Sequence, residues 1–181
     1  MQVIKKSIEG LLEIIPAVYK DERGSFFENY NRQLFEANGL PTHFVQDNQS
    51  FSKKGVVRGL HFQRAPHAQG KLVRVIVGRV LDIAVDIRPD SPTFGQYEAV
   101  ELDGERNNMF YIPEGFAHGF AALEDSIFSY KCTNLYHKVS EGGILWNDAE
   151  LNIDWQVSDP IVSEKDVLLP SFKALFEQMH P

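Results

Sequence analysis

The sequence predicts an all-β fold, a sandwich or a barrel, and two observations support this class. Short apolar or alternating runs recur at close intervals from Phe44 onward, and helical periodicity is confined to two short segments. With 181 residues, of which 43% are hydrophobic and 12% aromatic, the chain is long enough to form one domain, residues 1–181, around a sizeable core.

The individual elements follow in order along the chain. Residues 2–19 alternate imperfectly and are interpreted as two early strands, which end at the turn-forming residues 21–24. The segment RQLFEANG predicts a short helix that ends at Gly39. Strands are then expected at 44–49, 56–63, 71–77, 79–87, 96–102, 107–112, 117–123, 126–133 and 143–146.

A last helix is predicted in SFKALFEQM. Ser171 can cap it, and its apolar residues recur with helical spacing at Phe172, Leu175, Phe176 and Met179. This face is expected to pack on the barrel or on a partner subunit.

The clearest strands are VRVIV and VLDIAVDI, which Gly78 and Arg79 separate with a two-residue hairpin signal. In the second strand Asp82, Ala84 and Asp86 should face away from the intervening apolar residues. Aspartate is depleted in strands, so Asp82 is either a buried partner of a base or a residue near an exposed edge.

Composition excludes several classes of function. The net charge is −7 and the basic residues form no stripe, which argues against nucleic-acid binding. No run approaches the roughly 20 apolar residues that span a bilayer, and Glu9 and Glu13 interrupt the only run that resembles a signal peptide. The single cysteine, Cys132, permits no internal disulfide and is interpreted as a buried structural thiol. We therefore expect a cytoplasmic protein.

The stretch VVRGLHFQRAPHAQGKLVR concentrates histidine and basic residues between two predicted strands. Alternation places His61 and Gln63 on one strand face. His61 is a general base if this face looks into a cavity, and a hydrogen-bonded core histidine if it does not.

The segment from Pro113 to His118 has the form P-x-G-x-x-H, which is the second half-motif of the cupin jelly rolls. The first half-motif requires H-x-H, but this chain has Gln63 in place of the second histidine. Because an amide is a poor metal ligand, the sequence predicts a cupin-like double-stranded β-helix, a jelly-roll barrel, without a metal site. Short peripheral and C-terminal helices complete the predicted fold.

Nucleophile elbows, phosphate-binding glycine loops and dinucleotide fingerprints are absent from the sequence, which leaves acid/base chemistry. Tyr130 is either a packing residue or an acid that faces the barrel interior, and Lys71 points either into the cavity or out to solvent. Arg23, Arg58 and Lys165 are surface residues individually, or together a clamp for a diphosphate.

A series of collinear motifs covers nearly the whole chain: DERGSFFENY, FVQDNQS, VVRGLHFQ, QGKLVRVIVGRVLDIAVDIR, SPTFGQ, IPEGFAHGF, YKCTN, SEGGILWND and SEKD. In these motifs the chain resembles the dTDP-4-dehydrorhamnose 3,5-epimerases, a cupin-like family. The resemblance implies epimerisation at C3 and C5 of dTDP-4-dehydro-6-deoxy-D-glucose, in dTDP-L-rhamnose biosynthesis. It further implies a dTDP-sugar substrate, a homodimer, and no cofactor or metal.

The resemblance also implies roles for individual residues. His61 corresponds to the catalytic base, Asp166 to its paired carboxylate, Tyr130 to the proton donor and Lys71 to the lysine near the developing oxyanion. Tyr136 corresponds to the aromatic residue that stacks on thymine. The remaining nucleotide-sugar contacts fall at Arg23, Glu28, Gln46, Asp47, Asn48, Arg58, His118, Glu141 and Lys165, with Lys71 a contact as well.

The chain departs from the family pattern at two positions: Gln49 stands where many relatives have histidine, and Leu135 stands where a second tyrosine is common. Both lie beside predicted contacts, so they bear on the choice of substrate more than on the reaction. A mono-epimerase acting at C3 or C5 alone, a ketoisomerase and a non-catalytic nucleotide-sugar binding protein remain the alternatives. Strict alternation would set Arg58 and His61 on opposite faces of the strand, although both should reach the ligand. A β-bulge at Gly59 is therefore expected to reset the alternation.

Overall fold

The computed structural model describes residues 1–179, most of whose strands form two largely antiparallel sheets packed face to face. The strands are β1 (Gln2–Lys5), β2 (Leu12–Ile15), β3 (Val18–Asp21), β4 (Gly24–Phe27), β5 (Gln46–Ser52), β6 (Val56–Gln63), β7 (Lys71–Val77), β8 (Arg79–Asp86), β9 (Tyr97–Asp103), β10 (Met109–Ile112), β11 (Phe116–Ala122), β12 (Ser126–Cys132), β13 (Glu141–Gly143) and β14 (Ile161–Val162). The helices are α1 (Arg32–Ala37), α2 (Glu164–Val167) and α3 (Phe172–Met179).

The first sheet has the strand order β1-β2-β10-β7-β12-β5, and the second has the order β13-β6-β11-β8-β9 with β14 added in parallel to β6. Strands β3 and β4 pair only with each other and form a separate hairpin. The all-β, cupin-like jelly-roll prediction is confirmed.

Alternating apolar residues build the core between the sheets. Val73, Phe110 and Phe128 from the first sheet meet Val80 and Phe120 from the second, and all five are buried. Each such aromatic or branched side chain contributes on the order of 2 kcal/mol through burial. Hydrophobic alternation therefore determines which strand faces point inward.

The outer faces of the two sheets are covered differently. Helix α3 packs Phe172 and Leu175 against the outer face of the second sheet, as the helical spacing predicts. Helix α1 inserts Phe35 against Leu72 and Met109 on the first sheet. The side chain of Met179, expected on the same helix face as Phe172, lies outside the described residues.

The hairpin predicted at Gly78-Arg79 is wrong. Strand β7 pairs with β10 and β12, whereas β8 pairs with β11 and β9, so the chain crosses from one sheet to the other at Gly78. Gly78 has φ +82°, and a Cβ there would lie 2.3 Å from the carbonyl oxygen of Asp125. Local alternation identifies both strands but carries no information about their pairing partners.

Other boundaries also differ from the prediction. The N-terminal region to Phe27 contains four strands where two were expected in residues 2–19, because the chain is interrupted at Gly10, at Pro16 and at the turn before Gly24. The strand expected at 143–146 is observed at Glu141–Gly143, and α2 and β14 were not predicted.

Candidate active site

A bulge in β6 brings Arg58 and His61 to the same cavity. Arg58 pairs with Phe120 and His61 with His118, so Gly59 and Leu60 together face the single residue Gly119. Gly59 has φ +121°, and a Cβ would lie 2.5 Å from Cα of Gly119, so only glycine fits. The expected bulge is confirmed, and its extra residue resets the alternation.

The bulge opens onto a cavity of about 510 Å³ between the two sheets, which we call the inner cavity. It brings together all four residues predicted to be catalytic and three of the predicted contacts. These are His61, Lys71, Tyr130 and Asp166, with Arg58, His118 and Lys165.

His61 and Asp166 form a close pair in this cavity. Nε2 of His61 lies 2.6 Å from a carboxylate oxygen of Asp166, and the other carboxylate oxygen accepts from the Gly59 backbone N–H at 3.3 Å. Asp166 is 2% exposed, and burial alone would raise its pKa. The bonds from His61 and from Gly59 outweigh burial and hold the Asp166 pKa below its usual value, so the carboxylate is ionised and orients the imidazole.

Helix α2 explains how Asp166 reaches the site. Ser163 caps this helix, and its hydroxyl accepts from the Asp166 backbone N–H at 3.2 Å. The cap fixes the first turn and directs the Asp166 side chain toward β6.

A second buried pair joins His118 to Asp82. Nε2 of His118 lies 2.9 Å from Asp82, which is completely buried. Burial lowers the pKa of His118 and raises the pKa of Asp82, while their mutual attraction opposes both shifts. Asp82 is therefore the buried partner of a histidine, and the edge alternative is excluded. The sequence signal for this buried pair was the presence of an aspartate in an otherwise apolar strand.

Lys71 lies at the start of β7 and lines the inner cavity. Burial lowers its pKa, and the nearby Cys132, Asp82 and Glu141 limit the shift. The side chain points into the cavity, which excludes the solvent-facing alternative. An enclosed ammonium interacts strongly with a negative charge that develops beside it.

Tyr130 lies on β12 and contributes its side chain to the same cavity. Burial raises the pKa of its phenol, an effect that Cys132 reinforces and Arg58 opposes. The phenol therefore keeps its proton at neutral pH, which an acid requires.

A second cavity of about 330 Å³ adjoins the first and shares His61, Lys71 and Tyr130 with it. We call it the amide pocket because side-chain amides dominate its wall: Gln46, Asn48, Gln63 and Gln69. Tyr136 and Glu141 lie at its mouth, where the tyrosine hydroxyl donates to Glu141 at 3.0 Å. Lys165 donates to the same carboxylate at 2.7 Å and links the two cavities.

Three predicted contact residues line neither cavity. Asp47 faces outward from β5, where it accepts a hydrogen bond from Lys131 at 2.9 Å. Arg23 lies in the separate hairpin and donates to Asp21, and Glu28 follows that hairpin and bonds Asn31. Strand alternation explains the position of Asp47, and the independent hairpin explains the other two.

Among residues 1–179, no group of three or more histidine, cysteine, aspartate or glutamate side chains is placed to hold a metal ion. Within the same range, no helix has the length and apolar character needed to cross a membrane.

Comparison with known proteins identifies the family. The family model described as dTDP-4-dehydrorhamnose 3,5-epimerase matches residues 5–174. The chain belongs to this family. It is 53% identical over 169 residues to the dTDP-4-dehydrorhamnose 3,5-epimerase of Shigella flexneri, with 92% of this chain and 93% of the relative covered.

Two solved structures of epimerases share the fold. A dTDP-6-deoxy-D-glucose-3,5-epimerase from Legionella pneumophila, in complex with dTDP-4-keto-L-rhamnose, has a TM-score of 0.93 and 45% identity over 99% of this chain and 97% of its own. A 3'-monoepimerase from Streptomyces bikiniensis, in complex with dTDP-quinovose, has a TM-score of 0.82 and 32% identity over 96% of this chain and 95% of its own. The chain is therefore an isomerase of the epimerase type.

Proposed function

We propose that this epimerase converts dTDP-4-dehydro-6-deoxy-D-glucose to dTDP-4-dehydro-L-rhamnose by inverting C3 and C5, in the biosynthesis of dTDP-L-rhamnose. The 53% identity to a 3,5-epimerase supports the substrate and the double inversion. The observation that carries the chemistry is the 2.6 Å pair of His61 and Asp166 in a cavity shared with Lys71 and Tyr130.

The chemistry needs a base and a group that stabilises an oxyanion. C3 and C5 flank the C4 ketone, so removing a proton from either carbon gives an enolate with its charge on O4. His61 takes the proton, and Asp166 stabilises the imidazolium that forms. Lys71 stabilises O4, and one well-placed donor of this kind contributes about 3 kcal/mol to a transition state.

Inversion further requires a proton donor on the opposite face of the sugar. Tyr130 fills this role because it lies on β12 in the first sheet, whereas His61 lies on β6 in the second. The sugar binds between them and is deprotonated by His61 from one side and reprotonated by Tyr130 from the other. The steps use protein side chains alone and call for no cofactor.

The nucleotide portion extends from the inner cavity to the mouth of the amide pocket. Arg58 and Lys165 carry the positive charge that binds the diphosphate. Tyr136 presents a ring that is 53% exposed, which leaves a face free to stack on thymine. Gln46, Asn48, His118 and Glu141 supply the remaining polar contacts.

We further propose that the enzyme is a cytoplasmic homodimer. Tyr19 and Phe26 pair directly across the β3–β4 hairpin and are 68% and 67% exposed, an apolar surface that a second subunit would cover. Arg23 and Glu28 line neither cavity of their own chain, so their predicted nucleotide contacts would have to be made to the other subunit. Light scattering should give twice the mass of one chain, and Phe26→Arg should shift that mass toward the monomer.

Proton NMR in deuterium oxide with dTDP-4-keto-6-deoxyglucose tests the reaction. Deuterium should enter at both C3 and C5, and the product should be dTDP-4-dehydro-L-rhamnose. Exchange at one carbon only would indicate a mono-epimerase like the Streptomyces relative. Binding of the substrate without any exchange would contradict the proposal.

A further inference from the structure

Gln63 occupies the position at which a metal-binding cupin carries a ligand, and it makes an unusual set of hydrogen bonds. It is the last residue of β6 and is 9% exposed. Its Nε2 donates to the carbonyl oxygens of His67 at 2.5 Å and Leu135 at 3.2 Å, and its Oε1 accepts from the backbone N–H of His137 at 2.7 Å. The opposite amide orientation would set Oε1 against two carbonyl oxygens, so this orientation is fixed.

These bonds hold the main chain on both sides of Tyr136. Residues 135–137 belong to no strand or helix, and the backbone N–H groups of all three donate to side chains, those of Asn134, Gln46 and Gln63 in turn. Gln63 bonds the residue before Tyr136 and the residue after it, and Gln46 accepts from the Tyr136 N–H at 2.8 Å. The segment is thereby fixed although it lacks regular structure.

The ring of Tyr136 is constrained much less than its backbone. Its hydroxyl makes one hydrogen bond, to Glu141, and half of its surface is exposed. The position of the ring therefore depends on the main chain that carries it. A stacking platform binds a flat base most tightly when it is held in place before the ligand arrives.

We infer that Gln63 is a positioning residue, whose amide fixes the Tyr136 segment so that the ring is preorganised to stack on the nucleobase of the substrate. This inference rests on the nucleotide-binding role of Tyr136 in the proposed function. Gln63 acts through the main chain of Tyr136 and takes no part in proton transfer. Replacing the amide should therefore weaken nucleotide binding and spare the chemistry.

A double-mutant cycle with dTDP as the probe tests the inference. Gln63→Met keeps the length of the side chain and removes all of its hydrogen bonds. We expect it to weaken dTDP binding in calorimetry about tenfold, to raise KM similarly and to change kcat less than about twofold. In a Tyr136→Ala background the same substitution should have no further effect on dTDP affinity, because the ring it positions is absent. Gln96→Met, at an exposed glutamine, is the matched control and should bind dTDP as the unmodified enzyme does.

The outcomes separate this inference from the proposed function. If Tyr136→Ala binds dTDP as tightly as the unmodified enzyme, the stacking role fails and this inference fails with it. If Tyr136→Ala weakens binding but Gln63→Met does not, or if Gln63→Met costs the same in both backgrounds, only the positioning role is overturned. Should Gln63→Met fold poorly, Gln63→Glu keeps the acceptor for His137 and loses both donors, and the same cycle decides.

Discussion

Replacing Asp166 by asparagine is the sharpest test of the base assignment. The carboxylate accepts from two donors, Nε2 of His61 at 2.6 Å and the Gly59 N–H at 3.3 Å. Asparagine has one side-chain acceptor and one donor group, so it can accept from only one of the two. If its oxygen stays with Gly59, its NH₂ faces His61 and forces Nε2 to become an acceptor. The imidazole proton then moves to Nδ1, the nitrogen that should remove the substrate proton.

The alternative orientation of the asparagine is also costly. Its oxygen would accept from His61, but its NH₂ would face the Gly59 N–H at a site that is 2% exposed. A buried, unsatisfied donor costs about 1–3 kcal/mol, and the lost charge-assisted bond to the imidazolium costs about 1.5–3 kcal/mol. The second loss acts on the transition state, so Asp166→Asn should lower kcat/KM by about 10- to 150-fold.

The assay follows deuterium incorporation and product formation by NMR in the same sample. Both rates should fall together because proton removal precedes both, and dTDP affinity should stay within about twofold. Asp148→Asn is the matched control, because Asp148 is a buried carboxylate that accepts only backbone N–H groups, from Glu150, Leu151 and Phe172. It should lower the melting temperature and leave kcat/KM unchanged. A folded Asp166→Asn enzyme with near-normal kcat/KM would refute the pairing of Asp166 with the base.

The remaining predictions concern the other catalytic groups. His61→Ala should lower turnover at least about a hundredfold with little change in dTDP affinity, and weakened binding with intact turnover would instead make His61 a ligand contact. Tyr130→Phe keeps the packing of the ring, so exchange at C3 or C5 should continue while inverted product disappears; inversion at the normal rate would exclude Tyr130 as the acid. Burial lowers the pKa of Lys71, so kcat/KM should fall as pH rises through that lowered pKa, while Tyr130, whose pKa is raised, keeps its proton. Lys71→Arg should move this decline of kcat/KM to higher pH, because a guanidinium keeps its proton. If the decline stays at the same pH, a group other than Lys71 causes it. Activity should survive EDTA, and loss restored by one divalent ion would contradict metal-free proton transfer.

The sequence by itself determined most of the strands and the inward face of most of them. Period-two alternation places Val73 and Phe128 in the core because burial of apolar surface dominates the energy of each strand. It also made Asp82 conspicuous, and it exposed the conflict between Arg58 and His61 that a bulge at Gly59 resolves. These features are local, so the order of residues specifies them.

Only the tertiary structure decided which strands pair and which distant residues meet. The β7–β8 hairpin was wrong because Gly78 carries the chain between sheets, and pairing depends on segments far along the chain. The same holds for the three bonds of Gln63, whereas the pairing of His61 with Asp166 was expected from the family resemblance and the tertiary structure supplied its 2.6 Å geometry. A side-chain amide can donate or accept, so its partners depend on which backbone groups the folded loops bring to it.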